Sequence, residues 1–195
     1  TAFVRCVAVI YNDSTVYERS VMPTNVLNCA LPEIGVVEAR VRPVAINLLL
    51  PAQQWSYSFD LAGRLIGAFV AGENYRRAFD GRVLRKRAGS AGRERVWLGE
   101  TEATAFTAQA YALAERVAEA VGDARLNVLR GWTAERLAAD AAWFNRIYRP
   151  VSILPPDQYL ALVIQATEGC SYNRCAFCDF YRDRPFRIKG ADEFA

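Results

Sequence analysis

The hydrophobic period of the chain changes near residue 99, and this change constrains the fold more than any other feature. Before it, Trp55 to Phe59 alternates aromatic and small polar residues, which is typical of a half-buried strand. After it, apolar residues recur every three or four positions, which is typical of an amphipathic helix. We therefore expect residues 1–149 to form an α+β domain in which strands precede helices.

The strands are expected to form an antiparallel meander of three or four strands from Gln54 onward. Asp80-Gly81 is a strong signal for a two-residue hairpin turn between two of them. The candidate strands in the first half are Phe3–Ile10, Val36–Val41, Trp55–Phe59, Leu65–Val70, Tyr75–Phe79, Arg82–Lys86 and Arg95–Leu98.

Two amphipathic helices follow the strands. Thr101 is the expected N-cap of the first helix and Thr133 that of the second, where Trp132 and Leu137 would form a hydrophobic staple. Pro150 ends the second helix. The first apolar stripe comprises Phe106, Ala110, Leu113, Val117 and Val121, and the second comprises Leu137, Ala141, Phe144 and Tyr148.

A proline-containing segment, residues 150–158, is interpreted as a connector between domains. It precedes Leu160–Ile164, a continuous apolar run that is typical of a parallel strand buried on both faces of an α/β sheet. Residues 159–195 are therefore expected to begin a second, α/β domain.

Composition limits the chemistry available to the chain. There is no histidine among the 195 residues, which excludes histidine general bases, Ser-His-Asp triads and histidine metal ligands. Five cysteines, three of them within nine residues, favour reduced metal-binding thiols and a cytoplasmic location over a secreted disulfide framework. No apolar stretch is long enough to span a membrane, so no membrane partner is expected. The chain begins at Thr1 and ends in the first turn of a candidate helix, so we expect a fragment.

The three clustered cysteines, Cys170, Cys175 and Cys178, have the spacing C-x4-C-x2-C and directly follow the apolar run. Three thiolates on one loop can bind three irons of a [4Fe–4S] cluster, which ordinarily takes four cysteines. The fourth iron then stays open, and an open metal position is what a catalytic site requires.

This segment resembles the cluster loop of the radical S-adenosylmethionine (SAM) superfamily, whose usual spacing is C-x3-C-x2-C after the first strand of an α/β barrel. Phe177 matches the aromatic residue that usually precedes the third cysteine, and Ser171 and Asn173 match a Cys-Ser-x-Asn-x-Cys-x-Phe-Cys variant. The extra residue between Cys170 and Cys175 departs from the usual spacing and leaves the subfamily open.

The resemblance implies a [4Fe–4S] cluster and SAM as cofactors, with Cys170, Cys175 and Cys178 as iron ligands and Phe177 close to the adenine of SAM. It implies reductive cleavage of SAM to a 5′-deoxyadenosyl radical, a reductant such as flavodoxin or ferredoxin as partner, and an unknown substrate. Residues 159–195 would be the first strand and cluster loop of a truncated radical SAM barrel, so the fragment alone is expected to be inactive.

Two alternatives stay open. The thiols could hold structural zinc or an electron-transfer cluster without SAM chemistry, with a fourth ligand from Cys6, Cys29 or a carboxylate. Arg76 to Arg95 is the only pronounced cluster of positive charge, and with Tyr75 and Phe79 interleaved it could contact RNA. A solvated hairpin face is the simpler interpretation of the same charges.

Overall fold

The structure is a computed structural model that describes residues 7–10, 25–89, 92–149 and 162–194. The chain divides into two compact units. The described residues of the first unit, here called the sheet unit, are 25–89 and 92–142, and those of the second unit, here called the loop unit, are 7–10, 143–149 and 162–194.

The sheet unit contains an eight-stranded antiparallel meander in the order β2-β3-β4-β5-β6-β7-β8-β9, in which each strand pairs with its neighbours in sequence. Its strands are β2 (Asn25–Leu31), β3 (Gly35–Val41), β4 (Ile46–Leu50), β5 (Trp55–Phe59), β6 (Leu65–Val70), β7 (Glu73–Arg77), β8 (Val83–Gly89) and β9 (Gly92–Trp97).

Alternation along each strand places one set of side chains in the core. On β4, Ile46, Leu48 and Leu50 are buried while the residues between them are half-buried. This face packs against helix α1 (Glu100–Val121), whose buried side includes Ala114 and Val117. Alternating burial along the strand and the apolar stripe of the helix thus define the two faces that meet.

A 3-10 helix (Ala124–Leu129) and helix α2 (Ala134–Ile147) follow α1. Thr133 is confirmed as the residue capping α2, because its Oγ1 accepts a hydrogen bond from Arg136 N at 3.3 Å. Arg64, in the β5–β6 turn region, donates from Nε and Nη2 to the carboxylate of Asp140 on α2 at 2.9–3.0 Å. That two-point contact holds α2 near the end of the sheet.

Several local expectations are wrong in detail. The sheet has eight strands rather than three or four, because β2 and β4 were not recognised, and β3 and β9 were predicted as strands but not as part of the meander. Gly99 rather than Thr101 precedes α1, and it offers no side-chain cap. The β7–β8 hairpin has a three-residue loop, since Ala78 N donates to Arg82 O at 2.8 Å and Gly81 has a φ of 93°. A glycine in the left-handed region ends such loops.

The predicted fold class is wrong where it places the start of a radical SAM barrel. The apolar run forms β10 (Leu162–Gln165), which pairs antiparallel with β1 (Val7–Ile10), in a two-stranded sheet. A barrel strand would require a parallel neighbour. The described residues are instead mostly antiparallel sheet with few helices. An apolar run indicates a buried strand but gives no information on the direction of the strand's partner. Here the partner lies about 150 residues earlier in the chain.

No helix in the described residues has both the length and the apolar character that crossing a membrane requires. Residues 3–6 of the expected strand Phe3–Ile10, the connector at 150–158 and Cys6 lie outside the described residues.

Candidate metal centre

The three cysteines lie on one long loop that is closed at its base by two short strands. Strand β11 (Thr167–Glu168) pairs antiparallel with β12 (Arg187–Ile188), and helix α3 (Ala191–Phe194) follows. The loop between them, residues 169–186, is here called the cysteine loop. Lys189 N donates to Ala166 O at 3.0 Å and extends the closed base by one backbone hydrogen bond.

A buried carboxylate joins the two strands at this base. Arg187 donates to Glu168 through Nε at 3.0 Å and Nη2 at 3.1 Å, and its Nη1 reaches Glu193 on α3 at 2.7 Å. Lys189, buried beside them, lies 3.6 Å from Glu168 Oε1 and donates to the carbonyl of Ile147. Two-point contacts of this kind fix geometry as well as charge.

The cations determine the ionisation of Glu168. Burial by itself raises the pKa of this carboxyl, but the hydrogen bond from Arg187 and the charges of Arg187 and Lys189 outweigh it, so the pKa lies below its usual value. The same hydrogen bonds raise the pKa of Arg187. Glu168 therefore stays a carboxylate, and the base of the loop is held by charge-assisted hydrogen bonds.

Gly169 allows the two ends of the cysteine loop to approach each other. Its φ is +73°, and a Cβ at this position would lie 2.5 Å from Pro185 O and 3.0 Å from Phe186 Cα. Any side chain would therefore push the strands apart immediately before Cys170. The glycine is required both by backbone conformation and by space.

Asn173 organises the segment between the first two cysteines. Its φ is +43°, a conformation that asparagine accepts more readily than most residues. In this conformation its N–H donates to Cys170 Sγ at 3.4 Å, and its side-chain Nδ2 donates to Tyr181 O at 3.1 Å. One residue therefore orients the first thiol and connects the two halves of the loop.

Arg182 makes a second connection across the cysteine loop, because its Nη2 donates to Cys175 O at 2.7 Å. Backbone turns at Asp179–Arg182 and Tyr181–Arg184 shape the returning segment. Charged residues that flank the cysteines thus hold the loop internally, Glu168 at its base and Arg182 at Cys175.

The structure leaves Cys170, Cys175 and Cys178 half-buried on this loop, and no disulfide joins them to one another. Phe177 lies between the last two cysteines with 93% of its surface exposed. Three further aromatic side chains of the loop are exposed, namely Tyr172, Phe180 and Phe186. The loop thus offers thiols together with an unburied aromatic surface.

The donor set fits an iron–sulfur cluster in its chemistry, since three thiols on one loop are the ligands such clusters use. The arrangement of the three thiols in the structure does not match this donor chemistry. Within residues 7–10, 25–89, 92–149 and 162–194, no three Cys, Asp or Glu side chains form a group arranged to hold a metal ion. The structure therefore brings the three cysteines onto one closed loop but does not bring their sulfurs together.

Cys29 lies apart from this loop, on β2 of the sheet unit. It is half-buried, and burial raises the pKa of its thiol, so it is a weak nucleophile at neutral pH. Cys29 is therefore interpreted as an inert cysteine.

Comparison with protein-family models, curated proteins and solved structures finds no match to the chain. The resemblance to radical SAM enzymes rests on the residues of the cysteine loop alone.

The sequence did not reveal the structural roles of four residues that build the loop, Gly169, Asn173, Arg187 and Lys189. Gly169 and Asn173 carried a recognisable signal, because glycine and asparagine next to a cysteine motif are the residues that tolerate a positive φ. Arg187 and Lys189 carried none, since a basic residue in sequence does not indicate which carboxylate it will contact.

Proposed function

We propose that the chain binds a [4Fe–4S] cluster through Cys170, Cys175 and Cys178 and belongs to an enzyme that cleaves SAM reductively. The observation that carries the proposal is a loop of three thiols that is closed by Gly169 and the Glu168–Arg187 ion pair. The proposal rests on this loop and involves no barrel.

The chain's own residues would orient and shield the cofactor. Asn173 directs its backbone N–H at Cys170 Sγ, and hydrogen bonds to cysteine sulfurs tune the reduction potential of a cluster. Arg182 fixes the backbone of Cys175. Phe177 and the other exposed aromatic side chains supply an apolar surface suited to a planar base and to the exclusion of water.

When bound, the cluster and SAM supply the one-electron chemistry that breaks a sulfur–carbon bond and yields a 5′-deoxyadenosyl radical. A flavodoxin- or ferredoxin-type reductant and a cytoplasmic location belong to the same proposal. Both follow from the need for reduced thiols and a low-potential electron. The substrate is not specified by any residue described above.

The first test is anaerobic reconstitution of the chain with iron and sulfide, followed by iron and sulfide analysis and electron paramagnetic resonance (EPR) after reduction. We expect about four irons and four sulfides per chain. Cys175→Ala should lose the cluster signal. Cys29→Ala is the matched control, because it removes a thiol outside the cysteine loop and should leave the signal unchanged.

The SAM arm uses the product of the complete gene, prepared in the same way. A change in the EPR signal on adding SAM supports the proposal. A cluster whose signal is indifferent to SAM contradicts it and indicates an electron carrier. A colourless protein that retains zinc rather than iron contradicts the cluster itself.

A further inference from the structure

The eight-stranded sheet has two faces of different chemistry. One face packs on α1, and the other, here called the open face, carries Val26, Arg40, Asn47 and Ser58 at one end. At its β6–β9 end, cross-strand register places Phe69, Asn74, Lys86 and Arg95 in one row, and Gly67, Arg76, Leu84 and Trp97 in the next. The six residues Phe69, Asn74, Arg76, Lys86, Arg95 and Trp97 are here called the basic–aromatic patch.

Charge in this hairpin region is divided between the faces. On the α1 side two cations are paired, because Arg85 lies 3.1 Å from Glu102 and Arg87 lies 2.6 Å from Glu94. On the open face Arg82 is paired with Asp80 at 2.8 Å, but three other cations are not paired with any carboxylate of the described residues. Within the part of the chain that the structure describes, no carboxylate lies within 4.0 Å of the charged nitrogens of Arg76, Lys86 or Arg95.

The far end of the open face differs, since its charges cancel. Glu38 and Arg40 form an ion pair at 2.7 Å there. Among the described strand residues of the open face, the cations without a carboxylate within 4.0 Å therefore lie on β7, β8 and β9. An anionic partner would meet no opposing carboxylate of the described residues on these three strands of the open face.

Two aromatic side chains flank this charge, although strands expose large apolar residues on a solvated face only sparingly. Trp97 is 49% exposed and Phe69 is 36% exposed. Arg82 lies over one face of the Trp97 ring, with its guanidinium carbon 4.5 Å from the ring centre and its Nε donating to Asp80 at 2.8 Å, so its guanidinium plane continues the stack from that face. Both aromatic rings and guanidinium planes stack on unpaired bases.

We propose that the basic–aromatic patch binds single-stranded RNA. Its chemistry combines flat stacking surfaces with unpaired cations, which is the combination that holds unpaired bases and phosphates together. Phe69 and Arg95 are three strands apart, about 14 Å at ~4.8 Å per strand, enough for roughly four nucleotides at a stacked rise of ~3.4 Å. The exposed amide of Asn74 lies between them and can both donate to and accept from a 2′-hydroxyl.

Register and burial exclude some of the arginines that composition alone would assign to this surface. Arg77 is buried on the α1 side, and Arg85 and Arg87 are engaged there with carboxylates. The RNA would therefore contact one cation on each of β7, β8 and β9 rather than the whole arginine cluster. This inference does not depend on the cysteine loop.

The test is fluorescence anisotropy of a labelled single-stranded RNA of about 12 nucleotides with the whole chain, at about 50 mM salt and above. Arg76→Gln with Arg95→Gln should weaken binding at least tenfold and reduce the slope of log affinity against log salt by about 1.4, or ~0.7 per lost phosphate contact. Arg87→Gln is the matched control on the opposite face and should change affinity less than twofold. An equal loss for Arg87→Gln would overturn the proposal.

Stacking is tested separately. Trp97→Ala should weaken RNA binding about tenfold, while Trp97→Phe keeps a ring and should bind within about threefold. RNA should quench tryptophan fluorescence in the original chain but much less in Trp97→Phe. This readout does not depend on whether Trp97→Ala folds well. Unchanged binding by a folded Trp97→Ala variant argues decisively against a stacking surface.

Affinities for other anions test whether the ligand of the basic–aromatic patch is single-stranded RNA. Equal affinity for a DNA strand of the same sequence, for duplex RNA or for poly-glutamate overturns the assignment to single-stranded RNA. Cys175→Ala should bind RNA as the original chain does, so failure of this surface and failure of the cluster proposal give different results.

Discussion

Gly169 and Asn173 hold the cysteine loop in backbone conformations that few residues accept, with φ values of +73° and +43°. Gly169 brings the start of the loop against Pro185 and Phe186, and Asn173 turns the chain so that an N–H meets Cys170 Sγ. The shape of the candidate metal centre therefore depends on two small backbone choices beside the cysteines.

Gly169→Ala should open the base of the loop, because the new Cβ would lie 2.5 Å from Pro185 O in a left-handed conformation. We expect a local cost of about 2 kcal/mol, which makes tryptic cleavage after Arg174 or Arg182 roughly 30-fold faster and lowers cluster yield. Mass spectrometry of the cleavage products measures the rate. Gly190→Ala is the control, since nothing lies within 4 Å of a Cβ there. Equal rates in the two variants would contradict the steric role of Gly169.

Strands β11 and β12 are only two residues each, so their backbone hydrogen bonds alone form a weak element. Ion pairs between side chains stabilise this element, because Arg187 and Lys189 bind Glu168, and Glu193 binds Arg187. The closed base of the loop is therefore held by ion pairs, and its stability should depend on pH.

The pKa of Glu168 is lowered in the folded chain. Burial raises this pKa, but the hydrogen bond from Arg187 and the charges of Arg187 and Lys189 lower it by more. The ion pair therefore stabilises the loop fully above the usual glutamate pKa of 4.5, and this contribution is lost as the pH falls through the lower folded-state value. We expect the Arg187 Nε–H resonance in NMR spectra to stay protected at neutral pH and to broaden on acidification below pH 4.5.

Glu168→Gln should remove most of this pH dependence and weaken the protection of Arg187 at neutral pH. Asp183→Asn is a suitable control, because it removes an exposed carboxylate of the same loop that does not contact Arg187. A profile unchanged by Glu168→Gln would show that another group titrates.

In the whole molecule, the large hydrophobic core belongs to the sheet unit and none of its residues lies in the cysteine loop. Its centre joins the sheet to the 3-10 helix: Tyr111 stacks on Trp132 at 5.5 Å, and Leu65 N donates to Tyr111 Oη at 2.8 Å. Gly63 lies at the same junction, directly beside Val128 O. Global stability of the sheet unit should therefore respond to this junction.

Gly63→Ala should lower the free energy of unfolding far more than Gly72→Ala. Both glycines have a positive φ, of +86° and +81°, so the conformational cost of about 1 kcal/mol is shared. Only at Gly63 would the Cβ clash, at 1.9 Å from Val128 O, whereas nothing lies within 4 Å at Gly72. We expect a difference of about 2–4 kcal/mol in urea denaturation followed by circular dichroism. Similar losses in both variants would place the 3-10 helix outside the cooperative core.

The sequence by itself determined the local elements and the location of the cysteines. Alternation predicted β5, the turn residues Ala62-Gly63 predicted the start of β6, the three-to-four spacing predicted α1 and α2, and Thr133 was recognised as a cap. These features depend on interactions between residues close together in the chain, so a short stretch of sequence is enough to predict them. The C-x4-C-x2-C spacing likewise placed three thiols on one loop without any tertiary information.

The tertiary structure decided which segments pair and which side chains meet. Leu162–Gln165 was expected in a parallel barrel but pairs antiparallel with Val7–Ile10, because strand direction is determined by a distant partner rather than by apolar content. Only cross-strand register places Arg85 and Arg87 on one face of the sheet and Arg76 and Arg95 on the other. Glu168 finds Arg187 and Lys189 only when the loop closes. Contacts between residues remote in sequence depend on the packing of the whole unit, and a local pattern contains no record of them.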